Sequence, residues 1–249
     1  TADRRFGHRV AVDTTHGHAS FSSLAPHSDG EVSTPGDEAY DDDAADAGSL
    51  GAAEGAREGI FAFPAGARTG RCWHAVFETL DFRSDERARR DTVREMLGRY
   101  GFAGLGPEQE DAVAEMVQRV LSTPLAPGGV RLETVPPADR LNELEFSFAL
   151  PPWSAGGRPG PNRTSRVRAA IERHWARNPA RAAFRDALKG WDEVIPQGYF
   201  TGFIDLVFCA HGRYYIVDWK SNGRNGTRAD FDADGVRDEM ARHAYFLQY

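Results

Sequence analysis

Cysteine is scarce in this chain. Its 249 residues hold two, Cys72 and Cys209, far apart and in no CxxC pair. That excludes a disulfide framework and a cysteine-rich zinc or iron–sulfur site, and it fits a reducing cytoplasm. No apolar run reaches the roughly 18 residues a membrane span needs, so no membrane contact is expected. There is no GxxxxGK[ST] phosphate loop, so an ATP-driven motor has to lie outside this segment. The opening residues, TADRRFGHRV, lack a signal-peptide apolar core and an initiator Met, and read as part of a longer protein. No internal repeat is visible.

What is present is unevenly charged. Residues 37–54 hold seven acidic side chains and no basic one, which accounts for the whole net charge of −7. Residues 158–189 carry nine Arg or Lys against two acids. Residues 1–66 are rich in Ser, Gly, Ala, Asp and His and cannot bury enough apolar surface to offset chain entropy. They are expected to be mostly a flexible acidic linker, with Phe21 and Leu24 as a local docking point. His8, His16, His18 and His27 follow no ligand spacing and read as incidental.

From Thr69 the pattern becomes periodic. Trp73, Phe77 and Leu80 fall on one helical face, with His74 beside it. Amphipathic helices are predicted over Asp85–Tyr100 and Pro107–Leu121. Over residues 142–150, Leu144, Phe146, Phe148 and Leu150 alternate with Glu143, Glu145 and Ser147, which predicts a strand with both glutamates on its other face. A basic helical stretch over 164–189 follows, its second half capped at Asn178–Pro179. Residues 232–249 also read as helical.

Two apolar runs, GYFTGFIDLVFC and RYYIVDWK, are joined by Ala210, His211 and Gly212. If the turn is His211–Gly212, Ala210 faces Arg213, and counting back sets Asp205 opposite Asp218. Lys220 then projects from the same face as Asp218. The neighbours on both faces are apolar, so both are expected to be covered. Opposed carboxylates at about 5 Å in a poorly hydrated place are unfavourable unless a cation lies between them or one stays protonated. Such a conflict with folding rules points to function, and a hard divalent cation such as Mg²⁺ suits oxygen ligands and a phosphate substrate. Gly202 would let a phosphate backbone approach. The plain alternative, exposed acids with a lysine partner, is disfavoured by the apolar flanks and the register.

These residues also carry a resemblance. GFIDLVF, GRYYIVDWKSN and HAYFLQY, preceded upstream by RCWHAVFETLDF and NELEFSFALP, resemble in this order the C-terminal nuclease domain of RecB-type helicase/nucleases of the PD-(D/E)XK superfamily. The match runs from about Arg68 to Tyr249. It implies an α/β, restriction-endonuclease-like core, with a mixed sheet flanked by helices, over residues 67–249. The final strand that such domains carry after the last helix would be missing.

It also implies a metal-dependent deoxyribonuclease, of the exodeoxyribonuclease V kind, acting in double-strand-break repair and recombination. The metal ligands would be His74, Asp205, Asp218 and the carbonyl of Trp219, with Lys220 as the motif lysine. The site glutamate matches Glu143 or Glu145, with Glu143 preferred, and Gln248 matches the Gln of a Q-x-x-x-Y motif. One or two Mg²⁺ ions are implied, with Mn²⁺ or Ca²⁺ able to occupy the site. The partners implied are single- and double-stranded DNA, helicase domains of the same chain, and RecC- and RecD-like subunits. Arg173, Arg177, Arg181 and Arg185, spaced by four, offer a path for single-stranded DNA if one helix carries them. The rival readings are a standalone nuclease of the same fold and a catalytically silent DNA-binding or docking domain.

Overall fold

A computed structural model describes residues 16–24, 59–125, 128–151, 153–155, 158–178, 181–222 and 231–248. The acidic tract, and most of the expected linker with it, lies outside them. In chain order the elements begin with strand β1 (His16–Ala19) and a short helix α1 (Phe21–Leu24). Three helices follow, α2 (Ala67–Thr79), α3 (Glu86–Arg99) and α4 (Pro107–Ser122). Then come strands β2 (Arg140–Leu150), β3 (Trp153–Ala155), β4 (Arg158–Gly160) and β5 (Asn162–Arg163). Helices α5 (Thr164–Trp175) and α6 (Ala182–Ala187) precede β6 (Val194–Ile195), β7 (Gln197–Ala210), β8 (Arg213–Val217) and helix α7 (Ala233–Arg242). The chain is therefore α/β with a mixed sheet: β7 pairs in parallel with β1 and antiparallel with β8, and β2 is its neighbour.

The described residues fall into two compact units. One lies within Thr1–Glu31, Ser147–Thr201 and Ala244–Tyr249, the other within Val32–Phe146 and Gly202–His243. The second holds the larger core. Val76, Phe77 and Leu80 of the α2 region pack with Val93 and Met96, with Val113, Val117 and Leu121, and with Leu206 and Phe208 of β7. Helix α3 starts where Asp85 accepts from the Ala88 N–H at 2.8 Å, and α4 starts at Pro107 with Glu108 and Glu110 in its first turn. Arg94 and Glu110, 2.6 Å apart, link these two helices on their exposed side, where such a pair adds little stability.

The hairpin forms in the register expected from the sequence. His211 (φ 50°) and Gly212 (φ 71°) make a two-residue turn with both residues left-handed, and Ala210 faces Arg213. The ladder runs back to Leu206 opposite Val217 and stops there. Only one face is covered: Phe208 stacks on Tyr215 in the core, while Tyr214 and Ile216 are exposed at 81% and 55%. The expectation of two covered faces fails because apolar flanks alone do not reveal which face meets the helices.

Strand β2 also departs from simple alternation. Glu143 is left-handed (φ 48°), which interrupts the period of two, and both Leu144 and Phe148 are exposed. Phe146 does point inward, and it fills the space above Gly202. A Cβ at Gly202 would come within 2.7 Å of the Phe146 ring. The glycine therefore admits an aromatic ring from β2 and not a phosphate backbone. Gly202→Ala is expected to cost about 1–3 kcal/mol through overpacking, read as a lower urea midpoint. An unchanged midpoint would mean that Phe146 shifts freely.

In the first unit, β3 pairs with β4 and β5 with β6. The basic stretch is not one helix. It breaks after Trp175, Asn178 donates back to the Trp175 carbonyl at 2.9 Å, and the cap of α6 is Arg181 instead of Asn178. Arg173 thus lies on α5 and Arg185 on α6, so among the described residues no single helix carries the four arginines. Arg181 instead places its guanidinium over the rings of Trp175 and Phe184, at 5.4 and 5.3 Å. The helix expected over 232–249 also ends early, at Arg242: Ala244, fully buried, is left-handed (φ 52°), and a 3-10 turn, Tyr245–Leu247, follows. No helix among the described residues is long and apolar enough to cross a membrane.

Candidate metal centre

Helix α2 contributes His74 while its opposite residues, Cys72 and Val76, are committed to the core. Burial pushes the Cys72 thiol up to about 12, so it cannot serve as a thiolate nucleophile near neutral pH. Strand β7 contributes Asp205, one residue before the last rung of the hairpin. Past that rung β8 ends, and the Trp219 N–H bonds to Asp205 Oδ2 in place of a ladder partner. The Trp219 ring stacks on Phe77 at 4.4 Å, fixing residues 218–220 against α2. Gly70 permits that approach, since a Cβ there would lie 2.8 Å from Ser221 Oγ.

Strand β2 contributes Glu143. Two side chains just before it tie this strand to the end of α2: Arg140 donates to the Leu80 carbonyl and Asn142 to the Glu78 carbonyl, each at 2.6 Å. Arg140 also lies 3.7 Å over the Phe82 ring. The left-handed backbone at Glu143 then carries its carboxylate to His74 and Asp205, while Glu145 stays exposed. A non-glycine residue held in this region costs roughly 1–3 kcal/mol and persists only where its surroundings enforce it.

His74, Glu143 and Asp205 each offer a ligand atom within 4.8 Å of the others. His74 Nδ1 lies 3.5 Å from Asp205 Oδ1, with both side chains about nine-tenths buried. Burial pulls the His74 pKa down, but the hydrogen bond and charge of Asp205 outweigh it, and the pKa ends above its ordinary value. Burial, then the charge of Asp205, push the Glu143 carboxyl up to about 7. A pocket that resists the charge on one carboxylate while holding a second and an imidazole has the donor set that a divalent cation satisfies. Asp218 is not in this trio: its Oδ2 meets Lys220 Nζ at 3.0 Å, both largely buried.

The structure thus brings together His74, Asp205 and Glu143, and separately pairs Asp218 with Lys220. Gln248 belongs to the other unit, as do Arg173, Arg177, Arg181 and Arg185. Sequence reasoning missed Gly70, Arg140 and Asn142. Only Asn142 had a visible signal, a polar residue opening an apolar strand.

Fold and site together define an α/β domain with a His and carboxylate group suited to a divalent cation. The chain is a RecB-like segment. It is 31% identical to the RecBCD enzyme subunit RecB of Escherichia coli over 187 residues, 75% of this chain and 14% of that protein. It is 28% identical to the RecB subunit of Mycobacterium tuberculosis over 262 aligned positions, 98% of the chain and 23% of the relative. The RecB subunit of Mycolicibacterium smegmatis matches at the same identity over 96% of the chain, again 23% of the relative. The chain therefore spans a quarter or less of the length of these relatives. No protein-family model matches it.

Proposed function

We propose that this chain is a metal-dependent deoxyribonuclease module with a PD-(D/E)XK core in residues 67–249. It would hydrolyse DNA phosphodiesters within a RecB-type helicase/nuclease that repairs double-strand breaks. The observation that carries the reading is the convergence of His74, Glu143 and Asp205 from three elements, beside a lysine fixed by Asp218. His74, Glu143 and Asp205 would hold the cation, Mg²⁺ or a substitute such as Mn²⁺ or Ca²⁺, with Asp218 and the Trp219 carbonyl as further oxygen donors. A divalent cation here supplies polarisation of a phosphoryl oxygen and a lowered pKa for water.

The chain's own groups do the rest. Asp218 orients the Lys220 ammonium, which places a positive charge where negative charge grows on the phosphoryl oxygens. Trp219 holds Asp205 through its backbone N–H, and Asp205 keeps His74 in place. Single- and double-stranded DNA are the proposed substrates, with helicase domains of the same polypeptide and RecC- and RecD-like subunits as partners.

The test is cleavage of linear single-stranded DNA by the full-length protein with Mg²⁺, against an EDTA control. Lys220→Ala is expected to lower kcat about 10²–10³-fold, as for loss of one transition-state charge partner, with strand binding retained. Undiminished cleavage in Lys220→Ala and Asp218→Ala, or binding without cleavage in the wild type, would overturn the proposal and favour the silent binding domain.

A further inference from the structure

Next to the candidate metal centre lies a cavity of about 300 Å³ with His74 and Lys220 in its wall. That volume is at the lower end for small-molecule sites, which run from about 300 to 1,000 Å³. Six of the other fourteen residues in the wall are aromatic. Trp219, already stacked on Phe77, lines the cavity, as do Phe61 and Phe231, whose rings stack at 5.7 Å with an interplanar angle of 28°. Phe231 keeps 39% of its surface exposed, so an aromatic face is presented to solvent where a core residue would be covered. Asn222 adds an amide to the lining.

We infer that this cavity receives one unstacked nucleobase of the DNA strand whose phosphate lies at His74 and Lys220. The inference rests on the nuclease reading and adds a base-binding subsite to it. Aromatic walls bind a base by stacking whatever its identity, and an amide can meet a base edge. A base and its own phosphate are joined by one sugar, so a base pocket has to adjoin the phosphate site, as this one does. A base held in a duplex cannot enter without leaving its stack. The base that enters the cavity is therefore unpaired at the point of cleavage.

The experiment uses the full-length protein and single-stranded oligonucleotides carrying either 2-aminopurine or one abasic site at successive positions. On binding without Mg²⁺, 2-aminopurine fluorescence is expected to be quenched at positions that reach the cavity and to stay unquenched in Phe61→Ala/Phe231→Ala. With Mg²⁺, an abasic site at one fixed distance from the scissile bond should slow cleavage about tenfold, the scale of one lost base–aromatic stack. In Phe61→Ala/Phe231→Ala that position effect should vanish, and cleavage of unmodified strands should be about tenfold slower. Cleavage that tolerates abasic sites at every position, with unquenched 2-aminopurine, would overturn the pocket and leave the nuclease intact. Quenching without any metal-dependent cleavage would sink the nuclease reading and keep the base site. Circular dichroism of the double variant checks that it folds, and the single Phe231→Ala, at the more exposed ring, stands in if it does not.

Discussion

Asp205→Ala is expected to lower metal-dependent cleavage by about 10³-fold, the several kcal/mol of charge stabilisation that a held cation supplies. It should also destabilise the cation-free protein. The Asp205 carboxylate, largely buried, accepts the Trp219 N–H in a part-buried bond. Removing the acceptor leaves that donor unsatisfied, a cost of about 1–3 kcal/mol. Asp205→Asn separates the two effects, because an amide oxygen can still accept from Trp219 but is a poor ligand for a hard cation. The expected pattern is equal loss of activity in both variants, with a lower urea midpoint only for alanine. Equal stability of the two would show that Asp205 does not anchor residues 218–220. Full activity in the asparagine variant would remove Asp205 from the metal centre.

Glu143→Gln is expected to have the opposite effect on stability while also abolishing cleavage. Burial and Asp205 raise the Glu143 carboxyl from 4.5 to about 7. A carboxyl with a raised folded pKa binds its proton more tightly in the folded state. Its favourable contribution is complete below about 4.5 and is lost as pH rises to about 7. His74, also raised above its ordinary 6.5, acts in the same direction: its pairing with Asp205 fades as pH climbs through its folded pKa. The cation-free wild type should therefore melt at a lower temperature at pH 8 than at pH 5.

Glutamine keeps the shape at position 143 and has no charge to lose. It should raise the melting temperature at pH 8 by about 2–4 °C, corresponding to roughly 1 kcal/mol after allowing for solvent screening. It should also flatten the pH dependence. Adding Mg²⁺ should stabilise the wild type at pH 8 and leave Glu143→Gln nearly unmoved. A Glu143→Gln melting curve that tracks the wild type across pH would mean that the carboxyl is solvated and takes no part in the site.

Much of the centre was legible in the chain because its logic is local. The turn at His211–Gly212 needs two left-handed residues, and that requirement fixes the hairpin register from Ala210 opposite Arg213 back to Leu206 opposite Val217; the next rung, Asp205 opposite Asp218, does not form, because β8 ends at Val217 and the Trp219 N–H bonds to Asp205. The helices α3 and α4 carry their own start signals, in Asp85 and Pro107, and end within a residue of where the periodicity puts them. Other expectations failed where a single residue breaks a period. Glu143 interrupts the alternation of β2, and Ala244 ends the last helical segment. The break after Trp175 separates Arg173 from Arg181 and Arg185. None of these has a glycine to announce it.

By itself, then, the sequence determined the hairpin, its register and the amphipathic helices, because turn chemistry and side-chain periodicity act over a few residues. Only the tertiary structure decided which glutamate joins His74 and Asp205, that Asp218 pairs with Lys220, that Gly202 serves Phe146, and that aromatic rings gather beside the site. Most of those outcomes depend on residues far apart in the chain meeting across the fold, as Glu78 and Asn142 do over 64 positions, and no local pattern encodes such meetings.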